Sequence, residues 1–155
     1  MSENEIRPIK WSGENLELLD QTRLPREEVT VTVGTYQQAV VAIRDMQVRG
    51  APAIGVTAAY AVAMAARDIE VNGRQEFMAQ LEAAASEIAA ARPTAVNLQW
   101  AVRRMVDLAS ADGDVDGIPG RLLDEAKRIH LEDEQINRRM GDYGKDLIPD
   151  GGSVL

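Results

Sequence analysis

From residue 51 to residue 66 the chain reads APAIGVTAAYAVAMAA, sixteen residues without a charge. A run of this kind has to be withdrawn from water along its whole length, and it falls short of the roughly 20 apolar residues that a membrane-spanning helix needs. A helix that is apolar on every side belongs in the middle of a bundle. Its alanines and glycine suit that place, because small side chains let neighbouring helices come close.

The sequence on either side has to supply the layers that cover such a helix. IRPIKW and NLELLD flank a turn-like Ser12-Gly13-Glu14, and EVTVTV after Pro25 alternates as a half-buried strand does, so a small antiparallel sheet is expected. From Thr35 the period changes. Tyr36, Val40, Ile43 and Val48, with Ala39 and Met46, broadly follow a helical face, and helical pattern continues to about Leu147. The spacing predicts helices over 36–48, 52–70, 74–91, 94–110 and 119–147, the last bending at Gly141 or Gly144. Asn72-Gly73, Ala91-Arg92-Pro93 and the connector ADGDVDG separate them. The predicted class is therefore α+β, mainly α, with a β region over 1–34 and a bundle of about five helices over 35–148. Pro149-Asp150-Gly151-Gly152 reads as a linker and Ser153-Val154-Leu155 as the opening of a buried strand, so residues 149–155 are expected to lead into a further α/β domain.

Charge and rare residues narrow the chemistry. With 155 residues and an apolar share of 45% the chain supports one domain with a sizeable core. A net charge of -8 argues against a nucleic-acid or anionic-membrane surface, so any anion must be held by a local cluster. There is no cysteine and a single histidine, which removes disulfides, thiolate chemistry and a histidine-rich metal site from this stretch. The opening MSENEIRPIKW lacks the pattern of a secretory signal, and a cytoplasmic location is expected.

Two interruptions of the helical pattern could hold an anion. In VRGAPAIG, Arg49 and Gly50 precede Pro52; in ARPTAVNLQWA, Arg92 precedes Pro93. Proline suits a helix start and glycine a helix stop. Helix N-termini carry free N–H groups and a positive dipole end, and a nearby guanidinium adds a bidentate fork for phosphate or carboxylate. The alternative is that each arginine only stabilises the C-terminus of the helix it follows, and spacing alone favours that alternative. Gly55 reads as a close helix–helix contact and Asp20 as a turn acceptor. Tyr60 and Trp100 read as core residues, and His130 as a solvated or interface histidine in the charged run KRIHLEDEQINRR.

Taken together, RPIKW, LLDQTRLP, AIRDMQVRGAPAIGVTAAYA, ARPTAVNLQWA and INRRMGDYG resemble the N-terminal part of the S-methyl-5-thioribose-1-phosphate isomerase family. That family is related to ribose-1,5-bisphosphate isomerases and to the regulatory subunits of the translation initiation factor guanine-exchange complex. The resemblance implies aldose–ketose isomerisation in methionine salvage, with no metal and no organic cofactor, and a homodimeric enzyme. It implies substrate contacts at Arg49, Gly50, Ala51 and Arg92. It places the catalytic cysteine and aspartate in a Rossmann-like domain beyond Leu155, so this chain alone is expected to be inactive and to work with that C-terminal domain or with a second chain carrying it. The runner-up readings are a ribose-1,5-bisphosphate isomerase and a non-catalytic regulatory subunit that binds sugar phosphate or nucleotide.

Overall fold

The computed structural model describes residues 7–111 and 113–153. Three strands, β1 (Ile9–Ser12), β2 (Asn15–Leu19) and β3 (Thr30–Val33), form an antiparallel meander in the order β1-β2-β3. Ile9 pairs with Leu18 and Trp11 with Leu16, and Leu16 and Leu18 pair in turn with Val33 and Val31. The register puts these six side chains on one face. That face is the buried one, while Lys10 and Glu17 form a cross-strand ion pair at 3.3 Å on the other. Gly13, at φ 62, occupies the first position of the two-residue turn between β1 and β2, where primed hairpin turns require a positive φ.

Five helices follow: α1 (Tyr36–Arg44), α2 (Ala51–Asp68), α3 (Arg74–Ala90), α4 (Val96–Ala111) and α5 (Ile118–Gly144), the last running into a short 3-10 turn at Lys145–Leu147. Helix α5 passes through Gly141 without breaking, and only at Gly144 does its winding change. The expected strand opening at the chain's end lies, but for Ser153, outside the described residues. Helix α1 is launched by a capping box, in which the Thr35 hydroxyl accepts from the Gln38 amide and the Gln38 side chain accepts from the Thr35 amide.

Helix α2 is the central element. Every residue from Ile54 to Ala66 is buried, with α1, α3, α4 and α5 packed around it. No described helix is long and apolar enough to cross a membrane. The sheet is tied to α2 at two levels. Trp11 stacks on Tyr60 with ring centroids 5.1 Å apart, and Arg67 donates to the carbonyls of Glu14 and Gly34, both at 2.8 Å.

Helix α1 ends four residues short of the 36–48 span, and the reason is local. Met46 takes φ 62, the Gln47 amide reaches back to the Ala42 carbonyl at 3.0 Å, and the Met46 amide reaches Ile43 at 3.4 Å. This is the Schellman closure, with a methionine in the left-handed position that glycine usually fills. A left-handed conformation costs an L-residue roughly 1–2 kcal/mol. Met46→Gly is therefore expected to raise stability by up to about 1 kcal/mol, offset in part by the greater freedom of glycine in the unfolded chain. A urea midpoint unchanged or lowered by this substitution would show that the Met46 side chain contributes more than its backbone costs.

Candidate functional site

The loop from Asp45 to Gly50 delivers the chain to the start of α2, and its geometry is set by few contacts. The Gln21 amide donates to the Gln47 carbonyl at 2.9 Å, which fastens the loop to the sheet side, and Val48 is buried. Gly50 then caps α2 at φ 91, ψ 130, a conformation that disfavours any side chain. Its positive φ was readable in the sequence, but its task is to open α2 rather than to close α1. Ala51 and Pro52 form the first two positions of the helix, and no side chain caps its free amides.

Arg49 is exposed and makes no side-chain hydrogen bond or ion pair among the described residues. It lines a cavity of about 380 Å³ with Pro8, Leu19, Gln21, Leu24 and Ala53. The last basic residue of α1 is Arg44, and Arg49 stands five positions beyond that helix's end. A helix dipole acts within its last turn. The capping alternative that spacing favoured therefore has no helix end to act on at Arg49.

Arg92 differs. Helix α3 ends at Ala90 with Ala91 as its C-cap, so Arg92 lies next to a helix C-terminus and can serve that dipole. Pro93 does not start a helix; it sits in a turn, and α4 begins at Val96, three residues later than the proline rule suggests. Arg92 is half-buried and is not among the residues lining the Arg49 cavity. What the fold does bring together is the two helix starts. A Cβ on Gly55, in the second turn of α2, would stand 3.0 Å from the Asn97 carbonyl oxygen in the first turn of α4, so the glycine is what allows this approach.

Between those starts and the middle of α5 lies a second cavity, of about 410 Å³, with Pro52, Val56, Trp100 and Ile136 among its lining residues. Trp100 is not a core residue. It is 48% exposed, with the Arg104 guanidinium 5.2 Å from its ring centroid. Arg104 in turn forks onto Glu132 at 2.8 and 3.2 Å and bonds to Glu125, which is buried and also paired with Arg128 at 2.6 Å. The Arg104 hydrogen bonds hold the Glu132 carboxyl below its ordinary range, and Glu132 chiefly holds the Arg104 guanidinium above its own. Burial pushes the neighbouring Asp133 carboxyl up. The run KRIHLEDEQINRR is thus only partly a solvated face, since Glu132 within it and Glu125 just before it tie α5 to α4 through Arg104.

Asp20 is both buried and a turn acceptor, its carboxylate taking hydrogen bonds from the Thr22 amide at 2.9 Å and the Thr22 hydroxyl at 2.6 Å. His130 is mostly buried. Its Nδ1 lies 3.2 Å from the Tyr60 hydroxyl and its Nε2 3.7 Å from Glu134, so it connects α2 to the polar rim of α5. Tyr60 itself is 1% exposed, and burial, aided by the Glu134 charge, pushes its phenol up to about 12.

Comparison with known proteins places this arrangement. A methylthioribose-1-phosphate isomerase of Koribacter versatilis is 46% identical over 159 residues, covering 100% of this chain and 44% of the relative. A 5-deoxyribose 1-phosphate isomerase of Bacillus thuringiensis serovar kurstaki is 43% identical over 158 residues, covering 100% of this chain and 45% of the relative. The crystal structure of 5-methylthioribose 1-phosphate isomerase from Pyrococcus horikoshii superposes with a TM-score of 0.87 at 33% identity, over 92% of this chain and 41% of that one. The chain thus spans somewhat under half the length of the proteins it matches. The model of the initiation factor 2 subunit family matches residues 47–155, from the loop before α2 through α5, and the chain belongs to that family.

Proposed function

We propose that this chain is the substrate-binding N-terminal part of an aldose–ketose isomerase that converts S-methyl-5-thioribose 1-phosphate to S-methyl-5-thioribulose 1-phosphate, with Arg49, Gly50, Ala51 and Arg92 contacting the sugar phosphate. The observation that carries the reading is Arg49: an exposed guanidinium with no partner among the described residues, beside the uncapped amides of α2 and at the edge of a cavity. An otherwise acidic chain keeps such a group for an anion. The alignment with named isomerases along the whole chain supports this reading over a regulatory subunit.

The chemistry explains why a second region is required. Phosphate on the anomeric oxygen blocks simple hemiacetal opening, so the enzyme must assist ring opening and then move hydrogen between adjacent carbons. Acid–base groups must stand at those carbons. The corner before α2 offers donors and positive charge, suited to binding and orienting the phosphate, while the cysteine and aspartate of the family pattern belong to the α/β region beyond residue 155. The relatives' greater length is consistent with such a region. The complete protein acts as a cytoplasmic homodimer in this reading.

The test is to follow conversion of S-methyl-5-thioribose 1-phosphate by the 155-residue chain and by the complete polypeptide, this chain followed by its catalytic region. Turnover is expected only from the second. Turnover by the shorter chain would move the acid–base groups into residues described here as structural, and the absence of turnover by the complete polypeptide would overturn the assigned reaction.

A further inference from the structure

The cavity between the first turns of α2 and α4 and the middle of α5 has a composition unlike that of the arginine corner. Its apolar wall comes from Pro52, Val56, Trp100, Ile129 and Ile136, and its polar wall from Asn97, Glu132 and Asp133. Among the described residues, no lysine or arginine lines it. Trp100 and Ile136 are 48% and 47% exposed on facing helices, large apolar side chains that the fold itself leaves half in water. The indole is also held in place. Arg104 lies over its ring and is fixed from the far side by Glu132 and Glu125, so the wall is formed before any ligand arrives. Glu132 is balanced by Arg104, while the Asp133 carboxylate accepts a hydrogen bond from the Asn137 side-chain amide at 3.2 Å, feels the nearby His130 imidazole and lines the cavity with no ion-pair partner among the described residues.

Such a cup suits an uncharged apolar group and opposes an anionic one. Pro52 is three residues past Arg49, so the first turn of α2 presents the arginine corner on one side and this cup on another. A pentose 1-phosphate bound at the corner by its phosphate carries its fifth carbon at the opposite end of the sugar. Resting on the reading of the corner given above, we infer that this cavity receives the uncharged substituent on carbon 5, the methylthio group, and that Trp100, Ile136 and Asp133 set the preference for it over a 5-phosphate.

The test compares kcat/KM of the complete polypeptide for S-methyl-5-thioribose 1-phosphate, 5-deoxyribose 1-phosphate and ribose 1,5-bisphosphate. Trp100→Ala and Ile136→Ser are chosen because both side chains are half-exposed, and circular dichroism verifies that the fold is kept. Each is expected to lower kcat/KM for the methylthio substrate about tenfold or more, mainly through KM, while the 5-deoxy substrate, which lacks the thioether, changes by less than about threefold. Asp133→Asn is expected to raise the use of ribose 1,5-bisphosphate relative to the methylthio substrate. Equal losses on the methylthio and 5-deoxy substrates, or no change on either, would overturn the cup as the carbon-5 subsite while leaving the isomerase reading intact. A wild-type polypeptide inactive on all three sugar phosphates would remove the isomerase reading and the subsite with it.

Discussion

Arg49→Ala in the complete polypeptide is expected to weaken sugar-phosphate binding by roughly 10- to 150-fold, the range that corresponds to a charge-assisted hydrogen bond of about 1.5–3 kcal/mol. The fold should not notice. Arg49 is exposed and has no side-chain partner among the described residues, so its removal is expected to change stability by no more than about 0.5 kcal/mol. Arg49→Lys keeps the charge but loses the planar fork, and its affinity is expected to fall between those of the arginine and alanine proteins. Isothermal titration with S-methyl-5-thioribose 1-phosphate or a non-reactive analogue measures all three. Equal dissociation constants would remove Arg49 from the site. A large loss of stability in place of affinity would mean that the guanidinium supports the loop before α2.

Tyr60→Ala is expected to destabilise the chain by about 3–5 kcal/mol, the range for deleting a buried aromatic ring. Three losses combine there: the 1%-exposed ring leaves a cavity inside α2's packing, Trp11 loses its stacking partner, and His130 loses the hydroxyl at 3.2 Å. Tyr60→Phe keeps the ring and separates the hydroxyl's part, which is expected near 1 kcal/mol. The hydroxyl also has a pH signature. Its folded pKa, about 12, lies above the ordinary 10, so between these values the native state keeps a proton that the unfolded chain gives up. Stability from this group is therefore fully present below pH 10 and declines as pH rises toward 12. Denaturant midpoints measured across that interval should fall more steeply for the wild type than for Tyr60→Phe. Parallel curves would show that Tyr60 titrates in the folded state as it does in the unfolded one.

Much of the scaffold was legible because it follows from burial. The chargeless run from residue 51 has one stable place, and the structure puts it there; strand alternation and the turn at Gly13 likewise specify the meander. The failures come where tertiary contacts outweigh local rules. Met46 closes α1 in a conformation expected of glycine, because the loop must turn back toward Gln21, and nothing in the residues 36–48 announces that. Pro93 looks like a helix start but serves a turn. Trp100 reads as core on hydrophobicity alone. Its ring partner is Arg104, held by Glu132, and these two sit 28 residues apart and meet across the α4–α5 contact. Charge spacing within α5 showed its own ion pairs but could not show a partner on another helix. The same limit applies to the two arginines, since only the observed ends of α1 and α3 reveal that Arg49 lies beyond its helix and Arg92 directly after one.

Helix α5 has two unlike halves. Its buried side chains, Ile118, Leu122, Glu125, Ala126 and Ile129, all precede residue 131, whereas Ile136, Met140 and Tyr143 continue the same stripe in the open. The first half can lose its backbone hydrogen bonds only when the bundle opens. The second is tied to α4 at Glu132 by Arg104, and beyond Ile136 it is held by little more than helix propensity and a few side-chain contacts, which for a short segment in water is marginal. Amide protons along this one continuous helix are therefore expected to exchange with solvent in two populations, slow ones whose rates report global unfolding and fast ones whose rates report fraying. The boundary falls near His130, so the imidazole that touches Tyr60 also marks where α5 passes from the cooperative unit of the fold to a segment with a melting equilibrium of its own.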